Sequence, residues 1–268
     1  MTTTLPTKFT PKKSLGQNFL INPHIIDRII DAARISEKDL VLEIGPGTGN
    51  LTEKLAKKAG QVIAIEKDNR LIEPLREKFK NFKNIEIIEG DVLAKMPFVK
   101  QRASLQYKIV ANIPYYITSN LFRKIFEEWP RPELVVLTIQ KEVAQRITAK
   151  PPHMNLLALS VQYYAEPEVV VFISKNNFRP IPKVDSAIIR LNPKSEIRNP
   201  KKTEEIFKVI KGGFSEKRKQ LASNLSKKLK LSKSAVLEAF KTAGIKELSR
   251  PENLSLNDWE NLAEALFG

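Results

Sequence analysis

Val41-Leu42-Glu43-Ile44-Gly45-Pro46-Gly47-Thr48-Gly49-Asn50-Leu51-Thr52 joins a β-branched run to a glycine-rich turn and then to a segment of helical period. Glycines in a strand-to-helix turn let the backbone approach a ligand closely, at the carboxyl edge of a sheet where α/β proteins bind. The dinucleotide fingerprint would set its third glycine one residue later, at Asn50, so the loop is an imperfect pyrophosphate site. Working outward, strand-like runs fall at residues 40–44, 61–65, 85–88, 107–111, 134–139, 169–173 and 186–191. Between the early runs, segments beginning near Gly49, Asp68 and Ser119 carry apolar residues at helical spacing, such as Leu51, Leu55 and Ala59. This alternation predicts an α/β protein with a doubly wound sheet. Little helix separates the last strands, so the sheet is expected to end in an antiparallel hairpin.

After Pro193 the pattern changes to Lys-rich segments of helical period, punctuated by Pro200 and Pro251 and interrupted at Gly212-Gly213. A catalytic domain of residues 1–193 and a small α-helical C-terminal domain of residues 194–268 are expected. The 268 residues are 42% apolar, enough for a sizeable core, and no run approaches the length of a membrane span. Residues 1–14 contain lysines but no apolar segment after them, so a cytoplasmic protein is expected. Cysteine is absent, which removes disulfides, thiolate metal sites and the thiolate addition that methylation of a pyrimidine carbon usually needs. His24 and His153 lie apart without a ligand pattern, so no metal is expected. With 45 Lys+Arg against 30 Asp+Glu the formal charge is +15. Without an amphipathic basic helix or lipidation signal, that excess favours nucleic acid over a membrane as partner.

Chemistry gathers at successive strand ends. Glu66 follows Gly49 by 17 positions, where a carboxylate can accept both hydroxyls of a ribose. Asp91, after the third strand, can accept from an adenine amine. Asn112-Ile113-Pro114-Tyr115 closes the fourth strand and suits catalysis on a planar amine. The Asn112 side-chain carbonyl and the Ile113 backbone carbonyl can accept both amine hydrogens while Tyr115 stacks on the base. Held so, the nitrogen lone pair is free to attack a methyl group, and no strong general base is required.

These motifs stand with Ser14-Leu15-Gly16-Gln17-Asn18-Phe19-Leu20, Gln140-Lys141-Glu142-Val143-Ala144 and Phe178-Arg179-Pro180-Ile181-Pro182-Lys183-Val184-Asp185-Ser186. Across nearly its whole length the chain resembles the ribosomal RNA adenine N6,N6-dimethyltransferases, in particular the bacterial small-subunit enzymes. The resemblance implies a Rossmann-like class I methyltransferase fold that uses S-adenosyl-L-methionine. It implies dimethylation of the N6 amine of two adjacent adenosines, in a hairpin loop near the 3' end of small-subunit rRNA, during ribosome biogenesis. The partner it implies is that RNA within a pre-assembled ribosomal particle, met by a monomer. By the same resemblance Asn18 and Leu20 line the cofactor site with Gly45, Glu66, Asp91 and Asn112. Phe178 takes a place beside the target base opposite Tyr115, although composition alone would put it in the core. Gly213-Phe214-Ser215-Glu216-Lys217-Arg218-Lys219 looks like the family's RNA-facing segment, with Lys217, Arg218 and Lys219 on the RNA. Residues 198–233 hold 12 basic and 3 acidic side chains, in keeping with that role.

In one place the chain departs from the family, with Met154-Asn155 where a Tyr-Gly pair is usual. Three other functions stay open at this level: a large-subunit rRNA adenine methyltransferase of the antibiotic-resistance type, a DNA adenine methyltransferase, and a ribosome assembly factor without catalysis.

Overall fold

A computed structural model describes residues 10–12, 15–94, 106–195, 199–216 and 219–268. The chain forms two compact units, one of residues up to Ala144 with Glu166–Pro193, the other of Gln145–Ala165 with Lys194–Gly268. In the first unit the order is β1 (Phe19–Leu20), α1 (Pro23–Ala33), β2 (Leu40–Ile44), α2 (Asn50–Ala56), β3 (Gln61–Glu66), α3 (Ile72–Phe79), β4 (Ile85–Glu89), β5 (Tyr107–Asn112), α4 (Thr118–Arg123) and β6 (Leu134–Gln140). Next, α5 (Lys141–Ile147) and α6 (Leu156–Tyr164) precede β7 (Ala165–Ile173), β8 (Phe178–Arg179) and β9 (Ser186–Pro193). The chain ends in α7 (Pro200–Gly213), α8 (Leu221–Leu229), α9 (Lys233–Thr242) and α10 (Leu256–Phe267).

Seven strands form one sheet in the order β4-β3-β2-β5-β6-β9-β7. The first five are parallel, and β9 runs back antiparallel to β6 between it and β7. Strand β7 begins ahead of the expected residue 169 because Glu166 and Glu168 face outward, which hides its start from a search for apolar runs. Helix α1 shows why the flanking helices form. Asn22 caps it by accepting from the His24 N–H, Pro23 sits in the first turn, and Arg34 ends it in the left-handed region at φ 48°. Its buried Ile26, Ile29, Ile30 and Ala33 recur at helical spacing and join a core that includes Val41, Val62 and Val110 from the sheet.

The second unit has its own core, in which Trp259, Phe240, Ile206 and Leu225 from the C-terminal helices pack with Met154, Leu159 and Tyr163. Residues 145–165, which the sequence assigns to the catalytic domain, therefore cluster with the helical unit. The Met154-Asn155 departure has a structural role there. Met154 fills the core, while Asn155 caps α6 by accepting from Ala158 N at 3.0 Å and donates to Arg146 O at 2.9 Å. Gly212-Gly213 ends α7 rather than interrupting it.

Candidate active site

Strand order reverses between β2 and β5, the switch point at which open α/β sheets bind ligands. Beyond the carboxyl ends of these strands lies a cleft of about 960 Å³, part of it open to solvent. Asn18, Leu20, Gly45, Glu66, Asp91 and Asn112 all line it.

Each wall follows from local folding. Gly45 leaves β2 with a positive φ of 67°, and nothing stands within 4 Å of where a side-chain carbon would be, so a ligand can rest against bare backbone there. Glu66, at the end of β3, is buried, and its two carboxylate oxygens accept from Gly47 N at 3.0 Å and Asp68 N at 2.8 Å. Burial raises its pKa, against the lowering effect of those backbone donors. Its remaining lone pairs can still take hydroxyl hydrogens. Asp91 accepts from Lys67 Nζ at 2.7 Å and from Leu93 N at 2.9 Å. Burial alone would raise its carboxyl, yet these bonds hold it below the usual range.

Residues 15–18 cross the cleft as a strap tied on both sides. Gln17 donates to Asp68 Oδ2 at 2.8 Å, and Asp68 is held below the usual carboxylate range, at about 2, chiefly by Arg70. Across the cleft, Asn112 Nδ2 donates to the Asn18 carbonyl at 3.0 Å. That bond fixes the Asn112 amide, and its Oδ1 accepts no hydrogen bond among the described residues. Asn50, which replaces the third glycine of a dinucleotide fingerprint, donates to Leu20 O at 3.1 Å and so secures the strand beyond the strap.

Glu43 was not marked out by sequence. It lines the cleft from β2, is 1% exposed, and its Oε2 has no hydrogen-bond partner among the described residues. Burial, assisted by nearby Glu66, pushes its carboxyl up to about 8. The unpaired Oε2 leaves Glu43 an acceptor for a polar group at that end of the cleft.

Two expected site residues lie outside this cleft. Tyr115 is half-buried and does not line the cleft, and its hydroxyl lies 2.6 Å from Ser186 Oγ. Phe178 is 0% exposed, on β8 opposite Leu20, within the core of Ile26, Ile29 and Val41. Pairing of β8 with β1 places Phe178 inside this core, whereas the resemblance sets its ring beside the base. In the second unit Lys219 is exposed and pairs with Glu216 at 2.8 Å, while Lys217 and Arg218 lie outside the described residues.

Comparison with known proteins gives the family. The sequence profile of the family described as ribosomal RNA adenine dimethylase matches residues 8–267. A ribosomal RNA small subunit methyltransferase A from Dehalococcoides mccartyi is 42% identical over 252 residues, covering 94% of this chain and 87% of the relative. Among solved structures, the 23S rRNA methyltransferase ErmE superposes with a TM-score of 0.78 at 31% identity, covering 93% of this chain and 99% of the other. A dimethyladenosine transferase from Plasmodium falciparum gives 0.77 at 31% identity, over 90% of this chain and 94% of the other. With a family match across nearly its full length and a relative of this identity, the chain belongs to the ribosomal RNA adenine dimethylase family.

Proposed function

We propose that this enzyme of the rRNA adenine dimethylase family transfers methyl groups from S-adenosyl-L-methionine to the N6 amine of adenosines in small-subunit rRNA, two to each base. The observation that carries the reading is the fixed amide of Asn112. With Nδ2 committed to Asn18 O, its Oδ1 is presented as an acceptor. Beside it the Ile113 carbonyl accepts the second amine hydrogen, and the nitrogen lone pair is turned out of conjugation with the ring. Tyr115, steadied by Ser186, offers a ring to the base. The cofactor, when bound, supplies the activated methyl group. Glu66 accepts its ribose hydroxyls, Asp91 its adenine amine, and Gly45 lets it approach the backbone. Glu43 offers its unpaired Oε2 to the polar end of the cofactor.

The small-subunit reading is favoured over the large-subunit one by the D. mccartyi relative, at 42% identity against 31% for the 23S enzyme. We place the reaction in the cytoplasm, on a pre-assembled ribosomal particle, with the enzyme acting as a monomer. No helix among the described residues is long and apolar enough to cross a membrane. The test is mass spectrometry of nucleosides from purified small subunits incubated with the chain and labelled S-adenosylmethionine. N6,N6-dimethyladenosine is expected, and Asn112→Ala should slow its formation on the order of 100-fold. A variant as fast as the parent would end the amine-orienting mechanism. Methylation confined to large-subunit RNA would favour the other reading.

A further inference from the structure

Tyr116, next in sequence to the expected base-stacking residue, has no assigned part, yet it and not Tyr115 lines the cleft. Its ring is not a structural filler: it is 56% exposed, and no hydrogen bond of its hydroxyl is seen among the described residues. What it touches is the strap. Gly16 has φ +59°, and a side-chain carbon placed there would stand 3.2 and 3.4 Å from Cδ1 and Cε1 of Tyr116. A glycine is therefore suited on two counts, its backbone conformation and the close approach of the ring. The neighbouring residues are anchored to opposite ends of the site. Gln17 is bound to Asp68, whose N–H in turn donates to Glu66, while the Asn18 carbonyl accepts from Asn112. Lys67, bonded to Asp91 at 2.7 Å, lines the same cleft as Tyr116.

We propose that the Tyr116 ring and the Gly16 backbone laid against it form the removable outer wall of the nucleoside site and set the rate at which spent cofactor leaves. The inference rests on the cofactor reading above and deepens it. Adding two methyl groups to one base consumes two cofactors, so the wall must open between the transfers. A strap held by two polar anchors and one aromatic face can lift without disturbing the sheet.

The experiment is surface plasmon resonance with the full chain immobilised and S-adenosylhomocysteine as analyte, in the absence of RNA. Tyr116→Ala should dissociate the ligand about tenfold faster with a smaller change in association rate, as expected when part of an aromatic face is lost. Tyr116→Phe keeps the ring and should match the parent. Gly16→Ala pushes a methyl against that ring and should behave like Tyr116→Ala. Release from Tyr116→Ala at the parent's rate would overturn the proposal, as would a Phe variant as leaky as the Ala one. Unchanged release, with weakened RNA binding in a separate filter assay, would move Tyr116 to the RNA surface instead. A parent chain that does not bind S-adenosylhomocysteine would bring down the cofactor reading, and this inference with it.

Discussion

Glu43 illustrates how one residue can be invisible in sequence and decisive in the folded chain. In the string it is a single acid in a β-branched run. Its burial comes from the parallel neighbours β3 and β5, which no local pattern announces. With its carboxyl moved from an ordinary 4.5 to about 8, the folded chain holds a proton that the unfolded chain has released between those values. The stability this contributes is full below pH 4.5 and is lost as the pH rises through 8. Glu43→Gln should therefore gain on the parent by about 2–3 kcal/mol between pH 6 and 9, measured by urea unfolding without cofactor. An equal gap at both pH values would mean that Glu43 is not held protonated. Glu66, Asp91 and Asn112, by contrast, are legible because each stands at or just past the end of a strand, and strand ends in an alternating fold point to one edge.

At the scale of elements, the parallel strands were readable because apolar runs and glycine turns are local features. Pairing of β1 with β8 was not, since two residues at 19–20 and two at 178–179 carry no periodicity and meet only in the tertiary fold. That pairing decides the fate of Phe178. Truncation to alanine should empty core volume and destabilise the chain by roughly 3–5 kcal/mol, measured by thermal or urea unfolding. A loss below about 1 kcal/mol would contradict the buried placement. Phe178→Leu keeps most of the core filled and separates packing from any part at the base. An unchanged ratio of mono- to dimethyladenosine in that variant assigns Phe178 to the core alone.

For the whole molecule, charge is the property most plainly written in the sequence. Neutralising Lys217, Arg218 and Lys219 together should lower RNA affinity and flatten its dependence on salt, because fewer phosphate counterions are released. Filter binding at several salt concentrations gives the slopes, and equal slopes for parent and variant would place the RNA track elsewhere. The division of the chain was less legible. Residues 145–165 carry no composition shift, and only the packing of Met154, Leu159 and Tyr163 with Trp259 and Phe240 reveals where they belong. The backbone thus enters the helical unit twice, with β7, β8 and β9 threaded between the visits. No single scission can part the two units. A gene fragment ending at Pro193 would keep α6 but strip its buried face of the helices that cover it, leaving a greasy surface prone to aggregate. Separating the halves calls for two excisions and a new splice across residues 144 and 166, and a swap of the helical unit faces the same topological lock.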